Sequence, residues 1–283
     1  SFAAALLLYG GALVYGATGH TDLAGIAQRV QQSGLMSWSS LSPAQRAGEV
    51  NFPLFASGLV LLLVGLLFKV GAVPFHQWTP DAYEGAPTPV TAFMAVVVKS
   101  AAFAMLLRVL LIAFGDAASA SWGSGWPPVV AVVALATMTI ANLVAGRQSS
   151  VKRMLAYSSI AHAGYLLVGV VATIRQTNHD AEASILLYLL GYTVSTAGAF
   201  GSLILCGRKG AEAVTYEDLA GLGRRHPGAA LPFSIFLLSL AGVPPTVGFF
   251  GKFFLLRAAI GAGGGLTWLA IAALLNSVVG AYY

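Results

Sequence analysis

Eight long apolar runs alternate with polar connections along the chain: Ser1 to Ala17, Phe52 to Tyr83, Val90 to Phe114, Pro127 to Gly146, Val151 to Ile174, Ala183 to Gly207, Ala230 to Arg257 and Leu266 to Tyr283. The runs are apolar on every face, and about 20 such residues cross a hydrocarbon layer about 30 Å thick as a helix. A helix satisfies its backbone groups internally, whereas an open sheet edge in lipid leaves them bare. A β-barrel would need shorter strands of alternating polarity, which these runs lack. The pattern predicts an all-α polytopic membrane protein with about eight transmembrane helices. Two of them are predicted to be broken, because Pro74 lies inside the second run and Pro244 and Pro245 inside the seventh.

Two connections are long and polar, His20 to Asn51 and Arg208 to Gly228. In the second, Glu217 and Asp218 stand ahead of Leu219, which predicts a short surface helix. Counting helices places the connections at Glu84 to Pro89, Arg147 to Ser150 and Arg208 to Gly228 on one side of the membrane. That side carries seven basic residues, Arg147, Lys152, Arg153, Arg208, Lys209, Arg224 and Arg225; the other carries five, Arg29, Arg46, Arg108, Arg175 and Arg257. The excess of positive charge puts the first set, and Ser1 with it, in the cytoplasm, so the chain is expected to be a multi-pass protein of a bacterial cytoplasmic membrane.

Composition agrees with this reading. Of 283 residues, 57% are hydrophobic and 9% charged, against roughly 25% charged in soluble domains. Mean hydropathy is +0.79. The net charge is +5, but the basic residues sit mostly in short connections, where they orient the protein in lipid, so no nucleic-acid partner is implied. The opening "SFAAALLLYGGALVYG" has no basic stretch before it and reads as a true span, not a signal peptide. Both ends look incomplete: the chain starts without Met, and "NSVVGAYY" stops inside an apolar run.

Against this background three of the five lysines, Lys69, Lys99 and Lys252, lie inside apolar runs. A charged side chain at the centre of a spanning helix costs about 2.5–3.5 kcal/mol on insertion scales. Measured from the turn at Glu84 to Pro89, Lys69 is roughly 22 Å deep and Lys99 roughly 15 Å, too deep for the side chain to reach back to the headgroups. Lys252 is five residues from Arg257, so for it that reach remains open. All ten acidic residues lie in or beside connections, so no carboxylate of this chain is an evident mid-membrane partner for the lysines. A buried lysine without such a partner exchanges its proton more readily, as a proton relay requires. The proline breaks strengthen this reading, since Pro74 frees backbone carbonyls beside Lys69, and Pro244, Pro245, Gly248 and Gly251 do the same ahead of Lys252. Interrupted helices in separate halves, each near a charge, mark a transport site between structural repeats.

Histidine offers two further relay candidates. His162, about eleven residues into its run, reads equally as a relay or as a satisfied packing residue; His76 follows the first break and is expected to line a wet cavity there. His20, His179 and His226 fall in connections. Ser149 and Lys152 match Ser-x-x-Lys, but at a helix start this reads as a cap. The lone Cys206 excludes an internal disulfide and a multi-cysteine metal or iron–sulfur site. Gly221 and Gly223 begin a dinucleotide fingerprint that His226 ends. No cofactor is expected in this chain.

The stretches "FKVGAVPFHQWTPDAYEGAPTPV" with Lys99, "RMLAYSSIAHAGYLLVG" and "SLAGVPPTVGFFGKFFLL" resemble the antiporter-like membrane subunits of respiratory complex I and their relatives in multisubunit cation/proton antiporters. "WTPDAYEGAPTPV" favours the subunit N branch. The resemblance implies an inverted-repeat antiporter-like fold, with residues 1–114 the remainder of the first repeat and 115–283 the second. Its broken helices would be 52–83 and 230–257. It implies a midplane lysine axis of Lys69, Lys99 and Lys252, which settles Lys252 in favour of a functional role, and an acidic partner for Lys69 in a helix before Ser1. The implied function is proton translocation driven by redox chemistry elsewhere, with NADH, FMN, iron–sulfur clusters and quinone held by partner subunits. The chain itself would be a non-redox translocase subunit among other membrane subunits. The alternative is a subunit of a cation/proton antiporter without a redox partner.

Overall fold

The computed structural model describes residues 2–33, 51–115, 119–123, 125–175, 180–207, 212, 214–263 and 265–283. Arg46, His179, Arg208 and Lys209, assigned above to connections, lie outside them. The described elements are helical: α1 (Phe2–Thr18), α2 (Leu23–Ser33), α3 (Phe52–Val70), α4 (Trp78–Gly85), α5 (Thr88–Phe93), α6 (Lys99–Arg108), α7 (Trp126–Ala145), α8 (Val151–Ala172), α9 (Asp180–Cys206), α10 (Tyr216–Leu219), α11 (Leu222–Arg225), α12 (Pro227–Ala241), α13 (Val247–Gly261) and α14 (Thr267–Gly280). Helices α5 and α6 belong to one span, Thr88–Ala113, with π-helical turns at Met94–Val98 and Val109–Ala113.

Among the described residues five helices are long and apolar enough to cross a membrane: Phe52–Val70, Thr88–Ala113, Trp126–Ala145, Val151–Ala172 and Asp180–Cys206. The bent pair formed by α1 and α2 makes a sixth if it counts as one span. Helices α12 and α14 are apolar but shorter. The apolar runs therefore all fold as helix, but length and composition qualify fewer than eight of them as spans.

By its internal contacts the chain divides into two units, Ser1–Val70 with Ala102–Val129, and Gly71–Ala101 with Val130–Tyr283. In the first, α1 lies against α3 at van der Waals range. A Cβ on Gly10 would stand 2.7 Å from the Leu62 nitrogen, and one on Gly58 would stand 3.0 Å from the Gly10 carbonyl oxygen. Only glycine permits this approach, which is how helices gain packing energy in a lipid environment that supplies no hydrophobic drive. Phe55 packs on Phe114 with ring centroids 5.4 Å apart, and the Trp126 indole N–H donates to the Phe114 carbonyl at 3.0 Å.

The second unit is built around α8, nearly every residue of which is buried. Helices α4, α9, α13 and α14 pack around it. Such a helix is apolar on all sides because it meets protein on all sides. Among its polar side chains, Ser158, Ser159, His162 and Tyr165 are thereby held inside the unit. The helix start carries a serine cap, but it is Ser150 and not Ser149 of the Ser-x-x-Lys match: the Ser150 side chain accepts from the Arg153 N–H.

Candidate functional site

Both predicted breaks are present. Helix α3 ends at Val70 and α4 begins at Trp78, with Pro74 between them; α12 ends at Ala241 and α13 begins at Val247, with Pro244 and Pro245 between them. The Val73–Pro74 and Pro244–Pro245 peptide bonds are cis. After the first break the Val73 N–H, which has no helical partner, donates to Thr137 Oγ1 of α7 at 3.0 Å. The buried Nδ1 of His76 and the buried hydroxyl of Thr79 have no hydrogen-bond partner among the described residues.

At the second break the freed backbone meets a lysine. The Ala241 carbonyl at the end of α12 accepts from Lys252 Nζ at 2.8 Å, and Ser277 Oγ of α14 accepts from it at 3.0 Å. Gly242 makes the turn in the left-handed region, at φ +88°. A side chain there would also meet the lysine, since a Cβ would lie 3.0 Å from Lys252 Cδ. The ammonium stands 5.2 Å from the centre of the Tyr165 ring, within cation–π range. Lys252 is 9% exposed and is held in the interior by the helix end it caps.

Lys99, 3% exposed, donates to the Ser159 carbonyl at 2.6 Å and to Ser159 Oγ at 2.5 Å. Tyr192 OH donates to the same Ser159 Oγ at 2.8 Å, and its ring lies 6.0 Å from the ammonium. One turn further along α8 is His162, 6% exposed, with its ring 5.2 Å from that of Tyr192 and 6.0 Å from that of Tyr165. Its Nδ1 is 2.7 Å from Tyr188 OH.

His162 and Lys252 line one cavity of about 170 Å³ together with Ser158, Asn142, Tyr165 and Tyr283. It has room for several waters, and its walls carry the polar groups that would hold them. The far end is tied together by Asn142, which donates to Tyr165 OH and to the Asn276 carbonyl, both at 3.0 Å, and accepts from Tyr283 OH at 2.7 Å. Within this unit Lys99, Ser159 and Tyr192 are hydrogen-bonded in series, the Tyr192 ring lies against that of His162, and His162 shares the cavity with Lys252, so the groups form a line of polar side chains through an apolar interior.

Of the predicted site residues, Lys99, His162 and Lys252 are brought together in this way. Lys69, in the other unit, is exposed on α3 and makes no hydrogen bond among the described residues. His76 is half-buried, 6.5 Å ring to ring from Tyr157, and does not line the cavity shared by His162 and Lys252. Ser159, Tyr192, Tyr188 and Asn142 escaped the sequence reading. Their signal was helical spacing: Ser159 and His162 are three apart and Tyr188 and Tyr192 four apart, so each pair shares one helix face.

A surface cluster closes one end of this unit. Arg153 pairs with Asp81 at 2.8 Å and with Glu84 at 2.7 Å. Lys152, 1% exposed, pairs with Glu212 at 2.9 Å and also donates to the Ala86 carbonyl. Glu212 accepts from the N–H and hydroxyl of Thr88, each at 2.8 Å. The Lys152 ammonium and the Thr88 N–H hold the Glu212 carboxyl down at about 2. Among the described residues no group of three His, Cys, Asp or Glu could hold a metal ion.

A helical membrane protein with an interrupted helix capped by a buried lysine and a polar line through its interior is an antiporter-like transport fold. The family model for the transmembrane region of NADH:quinone oxidoreductases and Mrp antiporters matches residues 1–280, and the chain belongs to that family. It is 68% identical over 283 residues to NADH-quinone oxidoreductase subunit N 1 of Sorangium cellulosum, covering 100% of this chain and 53% of that one. Among solved structures, a chain of respiratory complex I from Thermus thermophilus with bound Aureothin is similar at a TM-score of 0.76 and 39% identity, over 100% of this chain and 55% of that one. A chain of the Mrp complex from Dietzia sp. DQ12-45-1b is similar at 0.79 and 28% identity, over 99% of this chain and 47% of that one. The chain spans about half the length of the curated relatives it matches.

Proposed function

We propose that the chain belongs to a proton-translocating membrane subunit, of the subunit N type, in an NADH:quinone oxidoreductase. The observation that carries this is the polar line from Lys99 through Ser159, Tyr192 and His162 to the cavity at Lys252. A proton moves along such a line by exchange between neighbouring groups and water, and the apolar surroundings keep ions from leaking past. Lys69, Lys99 and Lys252 are the lysine stations, His162 joins the last two, and His76 serves the first break, where its unpartnered Nδ1 and the Thr79 hydroxyl offer sites for water. The redox chemistry resides in other subunits, which hold NADH, FMN, iron–sulfur clusters and quinone; this chain is a non-redox translocase part.

The same reading carries the finer architecture. Residues 1–114 and 115–283 are parts of two inverted repeats, each with a broken helix, in a bundle of about eight spans in a bacterial cytoplasmic membrane. Other membrane subunits and the bilayer are its partners. In the assembled complex, Lys69→Ala or Lys252→Ala is expected to remove most of the proton pumping coupled to NADH oxidation, measured in inverted membrane vesicles. Unchanged pumping in both would overturn the relay.

The similarity to a chain of the Mrp complex favours one other reading, a cation/proton antiporter subunit with no redox partner. Isolation of the native assembly separates the two. Flavin and iron–sulfur subunits co-purify in the first case. In the second, cation/proton exchange proceeds without NADH.

A further inference from the structure

His162 lies between two lysines, yet a histidine relays protons efficiently only if its two nitrogens have settled roles. A neutral imidazole carries one N–H, and a buried N–H requires an acceptor. Here Nδ1 is 2.7 Å from Tyr188 OH, whereas the ring also lines the cavity that contains Lys252. For Nε2 to take a proton, the hydrogen of the neutral ring must already be on Nδ1, donated to the Tyr188 oxygen. When the ring becomes charged the same bond persists, strengthened by the charge.

We propose that Tyr188 is the positioning residue of this histidine, accepting the Nδ1–H so that Nε2 is the nitrogen through which His162 takes up and returns a proton. The proposal rests on the relay reading above. The titratable groups around His162 are Lys99 from α6, Tyr165 from its own helix, Tyr188 and Tyr192 from α9, Lys252 from α13 and Tyr283 beyond α14. None is a carboxylate. A carboxylate in this place would orient the ring but would also hold the imidazolium charge; a phenol orients it and lets the charge move on.

The surroundings fit the role. Tyr188 is 3% exposed, and its ring lies 5.8 Å from that of His162. Gly251, the residue before Lys252, leaves the space for it: a Cβ there would stand 3.1 Å from Tyr188 Cδ2. The phenol is thus wedged between the histidine helix and the lysine helix. Beside it a second cavity of about 10 Å³, shared with Tyr192, Ser195 and Ser239, has room for about one water to accept the tyrosine's own proton.

The test is a double-mutant cycle in the whole complex, reading protons pumped per NADH oxidised in vesicles, with assembly checked by native gel. Tyr188→Phe is expected to lower that ratio about as far as His162→Gln, and the double variant to be no worse than His162→Gln alone. A normal ratio in Tyr188→Phe, or a loss that adds to that of His162→Gln, overturns the positioning role while the relay stands. A normal ratio in His162→Gln overturns the relay through His162, and the proposal with it. If Tyr188→Phe does not assemble, 3,5-difluorotyrosine at 188 keeps the ring and hydroxyl but weakens the oxygen as acceptor. It is expected to lower the ratio in the parent and leave it unchanged in His162→Gln; equal effects in both would overturn the proposal.

Discussion

The Lys99 ammonium meets a carbonyl and a hydroxyl of Ser159, and that hydroxyl is itself paired with Tyr192 OH at 2.8 Å. Removing the charge therefore strands no hydroxyl. Lys99→Met keeps the volume and leaves the Ser159–Tyr192 bond in place, and replacing buried charge by a packed apolar group is commonly neutral or stabilising. The variant is expected to assemble with an unfolding temperature at or above that of the parent while pumping falls; a drop in both would make Lys99 a packing residue. Depth made this lysine legible, since 1.5 Å per residue from the nearest turn places it well inside the bilayer. Its partners were not legible, because they depend on how far each neighbouring helix is rotated about its own axis. The partners of Lys99 and Lys252 are neutral oxygens, in keeping with a sequence that confines its carboxylates to connections. Lys252 shows the limit most clearly. Its distance from Arg257 left reach to the headgroups open, whereas the fold turns it onto the open end of α12.

At the scale of elements, proline and glycine did most to make the fold readable. The stops at Val70 and Ala241 fall three to four residues before Pro74 and Pro244, and the pair Glu217 and Asp218 lies in α10, where Asp218 completes a capping box with Thr215. The count of spans was less readable: the second break leaves α12 and α13 at 15 residues each, and α1 and α14, at 17 and 14, are also too short to qualify alone, whereas α3 qualifies despite the first break. Helix contacts were also hidden: Gly10 and Gly11 look alike in sequence but face different surroundings. A Cβ on Gly10 would meet the Leu62 backbone, whereas one on Gly11 would meet nothing within 4 Å. Gly10→Ala is therefore expected to destabilise the contact of α1 with α3 by about 1–3 kcal/mol. Gly11→Ala should be neutral or stabilising by up to roughly 1 kcal/mol, since alanine is the better helix former. Thermal unfolding of the two variants in detergent checks this pair; equal effects would mean that α1 does not pack through its glycine face.

For the molecule as a whole, the sequence placed three connections on one side, and the structure ties parts of all three together. Arg153 reaches Asp81 and Glu84, Lys152 reaches Ala86 and Glu212, and Ser150 pairs with Thr215 as an isolated antiparallel bridge. Glu212 is the centre of this clasp, because one carboxylate serves the buried ammonium of Lys152 and the first N–H of α5. Its acidity, held at about 2 against an ordinary 4.5, fixes the sign of the pH effect. The bound form is the carboxylate, so its contribution is complete above about pH 4.5 and is lost as pH falls through about 2. Near neutral pH the clasp is therefore insensitive to proton supply, and it braces one end of the unit that contains Lys99, His162 and Lys252. Glu212→Gln at neutral pH removes the charge without changing the shape. It is expected to speed amide exchange at Thr88 by up to about tenfold, the half-exposed carboxylate being partly screened by water. Hydrogen-exchange mass spectrometry of the peptide spanning the turn between α4 and α5 measures this. Exchange equal to the parent would mean that the backbone bond from Val151 to Val214 and the Thr215 cap hold the connection unaided.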